Sequence, residues 1–270
     1  MLFPLYDDNP TRRWPIVTVL LILVNAGIQF AVTQIPQAEQ PTFYAEWGFV
    51  PARIKQLSDP NLVVTVDVDP RDPEALPPGA ARETLDLPAD QERIIATAFT
   101  TMFLHGGWLH LLLNMWMLWI FGNNIEDRLG HFIFILFYVV SGLLATACHW
   151  YLYPDSAVPV VGASGAIAGI LGAYAITFPK ARVKTIVFLG FIFFPLDVPA
   201  LVMLGIWFVI EFIQLHQDLV VPKAAGIAFA AHVGGFIAGL LIMPLMAMGA
   251  PDPGTHWEDE MDEAFGENIK

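Results

Sequence analysis

The apolar residues of this chain are gathered into blocks long enough to cross a lipid bilayer, and that limits its fold more than any other feature. A backbone inside hydrocarbon must satisfy every N–H and C=O internally, so continuous apolar blocks of this kind read as helices. Trp14 to Thr33 is about 20 residues, or about 30 Å of helix, close to the hydrocarbon thickness. Arg12 and Arg13 precede it and no small-residue cleavage site ends it, so it reads as a retained first span and not as a signal peptide. Further spans are read at Trp108 to Phe121, His131 to about Tyr151, Ser164 to Phe178, about Pro199 to Leu215, and about Ala225 to Met248. With 56% hydrophobic and 14% charged residues, the expected class is an all-α polytopic membrane protein with six transmembrane helices.

The segments between the spans are less regular. A polar stretch from about 34 to 93, rich in Pro and Asp, reads as a loop or a loosely folded segment. Ile94 to Leu104 is apolar but too short to cross, which suits a re-entrant or interfacial element. Pro195, Asp197 and Pro199 interrupt the run from Thr185 to Leu215, leaving Ile186 to Phe194 too short to span. Six crossings put both termini on one side. Arg12 and Arg13, with Lys180, Arg182 and Lys184 after the fourth span, make that side cytoplasmic. The chain then divides into a cytoplasmic N-terminus (1–13), a membrane domain (14–250) carrying the long extracytoplasmic loop, and an acidic cytoplasmic tail (251–270). The net charge of −13 says little about partners, because most of the acid lies in that loop and the tail. Cys148 is the only cysteine and excludes an intrachain disulfide framework.

Four polar residues share the outer half of the proposed bundle. Ser164 opens the fourth span in VVGASGAIAG, His232 enters the sixth, and His110 and Asn114 lie four apart on one face of the second. A serine hydroxyl is a poor nucleophile until a base takes its proton, so a serine and a histidine at matched depth suit a nucleophile and its general base. His110 and Asn114, with the Ser164 backbone N–H, offer the donors that an oxyanion hole needs. Gly162, Gly165 and Gly169 before and along the fourth span, and Gly235 and Gly239 on the sixth, would let the two helices approach closely. Each signal also has a plain structural reading: Ser164 as an interhelical hydrogen bonder, His232 as a satisfied buried histidine, His110 with Asn114 as helix glue. A metal site from His105, His110, His131 or His149 is weak by spacing, and Glu211 and Asp197, which could serve a proton path, stand apart from the histidine cluster. A transporter would call for an internal repeat and charges lining the midplane, and neither is evident.

GWLHLLLNMWMLWIFGNNIEDRLG, then GASG, then AHVGGFIAGL resemble, in order, the motifs of the rhomboid intramembrane serine proteases. The resemblance implies a six-helix fold in which Ser164 attacks the scissile carbonyl, His232 acts as general base and then general acid, and His110 with Asn114 completes the oxyanion hole. It implies a Ser-His dyad with no acidic third member, no cofactor and no metal. The expected partners are transmembrane protein substrates and the lipid bilayer, not nucleic acid, and the expected location is the bacterial inner membrane. It further implies a membrane-associated loop at Ile186 to Phe194, a lateral gate at Pro199 to Leu215, a cap loop at about 216–223, and a structural turn at GNNIEDRLG. Where some members place a Tyr against the catalytic histidine, four residues after the serine, this chain has Ala168. A catalytically inactive, client-binding relative is the alternative, though such relatives typically lack the serine or the histidine.

Overall fold

The computed structural model describes residues 2–69, 71, 81–189, 192–220 and 228–248; the acidic tail and part of the expected cap loop lie outside them. In chain order the elements are β1 (Leu2–Asp7), α1 (Ile16–Val32), α2 (Gln40–Trp47), β2 (Val64–Asp67), β3 (Thr84–Leu87), α3 (Gln91–Thr100), α4 (Trp108–Met117), α5 (Asn123–Leu129), α6 (His131–Leu152), α7 (Ser164–Thr177), β4 (Arg182–Leu189), β5 (Ile192–Pro199), α8 (Ala200–Val220) and α9 (Phe229–Met246). The chain is mostly helical, and α6, α8 and α9 are each long and apolar enough to cross a membrane. α1 and α7 are apolar but shorter. α4 runs through a π-helical turn, Leu118–Gly122, directly into α5, so this helical segment extends past the expected end at Phe121.

The small α7 lies at the centre of the bundle. Eleven of its residues, Gly165 to Ala175, are buried in an unbroken run, which an amphipathic surface helix could not show. The outer faces are apolar as well. Leu109, Phe132, Tyr151, Leu241 and Leu245 are all more than 60% exposed, a surface that water would penalise and lipid accepts.

The all-α expectation needs correction, since two small sheets flank the helices. The segment expected to be a membrane-associated loop, Ile186 to Phe194, is strand at its described residues, 186–189 and 192–194. These belong to β4 and β5, an antiparallel pair running from Arg182 opposite Pro199 to Leu189 opposite Ile192, with β1 added along β4. Strands absorb what no helix could, because Pro195 and Pro199 lie in β5, which is an edge strand of this sheet. The Trp116 indole N–H donates to the Pro4 carbonyl at 2.8 Å, tying the sheet to α4.

The described residues of the long first loop, 34–69, 71 and 81–93, are also folded rather than loose. β2 pairs with β3, alternate residues Val64 and Val66 point inward, and with Ala45, Val50, Val68 and Leu87 they form a second apolar core. At the opposite end of the bundle, Glu126 caps α1. Its carboxylate accepts from the backbone N–H groups of Val17 (2.8 Å) and Thr18 (2.7 Å) and from the Thr18 hydroxyl (2.7 Å), satisfying donors that a helix start leaves open. Gly130, at φ 76°, then reverses the chain into α6, which is the physical content of the GNNIEDRLG motif.

Candidate active site

Ser164 is the first residue of α7, and Phe49 of the first loop, with Thr101 and His105 after α3, holds the chain that leads to it. Phe49 and Val160 exchange backbone hydrogen bonds of 3.0 and 2.8 Å, the Thr101 hydroxyl donates to the Val160 carbonyl at 2.6 Å, and the Gly162 N–H donates to the Thr101 carbonyl at 2.9 Å. The Ala163 N–H donates to His105 Nε2 at 3.5 Å. Gly162, expected among the helix-packing glycines, does another job. It sits before α7 at φ 133°, and a Cβ there would come within 3.0 Å of the His110 ring.

Gly235 and Gly239 make the seam between α9 and α7, whereas a Cβ on Gly165 or Gly169 would first meet Ala145 or Ser141 of α6. A Cβ on Gly235 would lie 2.1 Å from the Gly165 carbonyl oxygen, and one on Gly239 would lie 1.9 Å from that of Gly169. Backbone therefore rests on backbone, which larger side chains would forbid. This close approach brings His232, in the first turn of α9, to Ser164: His232 Nε2 is 2.8 Å from Ser164 Oγ.

The other ring nitrogen, Nδ1, is 2.8 Å from Glu211 Oε2 on α8. This overturns the expectation that Glu211 stands apart from the histidines. Asp197 does stand elsewhere, paired with Lys184 across β4 and β5 at 3.1 Å. A carboxylate within the apolar run from Pro199 to Leu215 is the signal for Glu211, since such a group needs a partner. The partner lies 21 positions away on another helix, which no local pattern reveals.

Ser164, His232, His110, Asn114, Trp207 and Glu211 all line one cavity of about 1100 Å³. Asn114 is buried, and its amide donates to the His110 carbonyl at 2.9 Å, which uses one of its two N–H groups. The His110 ring meets that of His105 edge-on at 5.1 Å. His149 also lines the cavity, beside the Tyr153 ring at 5.0 Å, whereas His131 is at the far end of α6 on Glu126 at 2.6 Å. Among the described residues no group of three His, Cys, Asp or Glu is arranged to hold a metal ion.

Fold and site together define a polytopic helical membrane protein with a serine and a histidine in contact inside a cavity between helices. The rhomboid domain model matches residues 93–249, more than half of the chain, and the protein belongs to the rhomboid family. It is 32% identical over 160 residues to Rhomboid protein 1, mitochondrial, of Saccharomyces cerevisiae, covering 55% of this chain and 40% of that protein. It is 30% identical over 156 residues to Rhomboid protease AarA of Providencia stuartii, covering 53% and 52%. A shorter match, 41% over 71 residues, joins it to Rhomboid-like protein 11, chloroplastic, of Arabidopsis thaliana, covering 26% and 25%. The matches thus span about half or less of these relatives' length.

Proposed function

We propose that the protein is an intramembrane serine endopeptidase that cleaves transmembrane proteins within or next to a membrane helix. The observation that carries this reading is the 2.8 Å contact between Ser164 Oγ and His232 Nε2 in a cavity shared with His110 and Asn114. His232 takes the Ser164 proton as Oγ bonds to the scissile carbonyl carbon. The Ser164 N–H at the start of α7, the His110 ring and the second Asn114 amide N–H hold the developing oxyanion. His232 then passes its proton to the leaving amine, and water, activated by the same histidine, hydrolyses the acyl-enzyme. The similarity to a protein named a rhomboid protease supports the reaction class.

The membrane domain of this enzyme would hold six crossings: α1, the α4–α5 segment, α6, α7, α8 and α9. Both termini would lie on the side carrying Arg12, Arg13 and Lys180, the cytoplasmic face of a bacterial cell membrane. The folded first loop would then be extracytoplasmic, on the side of Ser164.

The test is cleavage of a panel of single-span reporters co-expressed in a membrane, with wild type against Ser164→Ala, His232→Ala and Asn114→Ala. Loss of cleavage is expected in the first two, and Asn114→Ala should lose roughly a hundredfold or more in turnover, the scale of one oxyanion donor. Cleavage that persists in Ser164→Ala removes the serine from the mechanism.

A further inference from the structure

His232 is held from α8. On α7, the residue one turn beyond Ser164 is Ala168, whose buried methyl group can offer the ring neither a hydrogen bond nor an aromatic face. Trp207 and Glu211 supply both. They are four residues apart and so share one face of α8. The Trp207 ring lies 6.2 Å from the imidazole, tilted by 34°, and Glu211 Oε2 lies 2.8 Å from Nδ1. The side chains of Glu211 and His232 are each only 12% exposed, so the contact is shielded from competing water.

The chemistry of this contact is directional. An ionised carboxylate only accepts, so an ionised Glu211 would hold the hydrogen on Nδ1 and leave the Nε2 lone pair facing Ser164 Oγ. The other acids lining the cavity are engaged differently: Asp218 accepts from the Tyr153 hydroxyl at 2.7 Å, and Asp155 pairs with Lys55. We propose that Glu211 is a positioning residue that turns the serine–histidine pair into a Ser164–His232–Glu211 triad. This rests on the serine endopeptidase reading above. As the Oγ–carbon bond forms, the serine proton moves to Nε2, and Glu211 keeps its hydrogen bond to Nδ1–H and faces the imidazolium without taking a proton itself. The third member comes from a different helix than either partner, so the base is aligned only while α8 lies against α9.

The full chain in detergent micelles or vesicles tests this with two readouts: the rate at which a fluorophosphonate probe phosphonylates Ser164 with loss of fluoride, and kcat and KM on a single-span reporter. Glu211→Gln keeps the size of the side chain and loses its charge, and Glu211→Ala removes the group. Both should slow phosphonylation and kcat by on the order of a hundredfold with KM within about twofold, and added formate should restore part of the loss in Glu211→Ala. Phosphonylation at the wild-type rate in both variants overturns the triad and leaves the endopeptidase standing. A loss that formate does not restore, together with a lowered unfolding midpoint, assigns Glu211 to packing and overturns it too. Probe labelling of Ser164→Ala equal to wild type would instead defeat the underlying reading.

Discussion

α9 and α8 both pack beside α7, yet opposite means hold them there. Half of the apolar window of α9 is buried, and at Gly235 and Gly239 its backbone lies so near the α7 backbone that a Cβ has no room. Only 22% of the window of α8 is buried. Val209, Phe212 and Ile213 are turned outward, and the helix is tied in by Met203 and Leu204 buried in the main apolar core, Phe208 stacked on Phe236 at 4.7 Å, Trp207 beside Phe236 at 5.9 Å, and Glu211 on His232. A seam of glycines against carbonyls has no slack, since a shift of a few tenths of an ångström opens a void or makes a clash. A seam of side chains can part and re-form by rotamer changes. The serine and its base therefore sit on the rigid seam, and the carboxylate that orients the base sits on the looser helix.

The comparison can be broken most severely at the glycines. Gly239→Leu forces a side chain into the Gly169 carbonyl and should cost about 3 kcal/mol or more, read as a large drop in the thermal midpoint in detergent. An unchanged midpoint would show that α9 can slide, contrary to a rigid seam. Phe208→Ala deletes the stacked ring that anchors α8 and should cost about 1 to 2 kcal/mol, below the usual price of a fully buried aromatic because the site is only half-buried. Smallest of all is Phe212→Leu on the outward face, expected within about 0.5 kcal/mol of wild type by the same measurement. If Phe212→Leu proved as damaging as Gly239→Leu, α8 would be packed as firmly as α9.

Much of the helical frame was legible in the sequence, and the legible parts share a cause. The third expected span, His131 to about Tyr151, and the fourth, Ser164 to Phe178, match α6 and α7 to within a residue. Hydrophobic length and helical hydrogen bonds are settled by residues within a turn of one another. What failed was the long-range pairing. Leu2 sits opposite Val187 in one sheet, and β2 and β3 are joined across a segment that read as loop, because strand pairing depends on partners far along the chain.

The candidate site divides in the same way. Ser164, His232, His110 and Asn114 were named from spacing and chemistry, and the structure gathers all four around one cavity. Gly162 lies ahead of the helix at φ 133°, with its N–H on the Thr101 carbonyl and no room for a Cβ beside the His110 ring, a placement that spacing cannot show. Glu211 was visible as a costly charge in an apolar helix, but its partner was not. By itself the sequence determined that a carboxylate, an imidazole and a hydroxyl would each be carried by an apolar helix, because burial and helix formation are local properties. Only the tertiary structure decided that they meet, since the face that α8 turns toward His232 depends on how Trp207 and Phe208 seat against Phe236 on another helix.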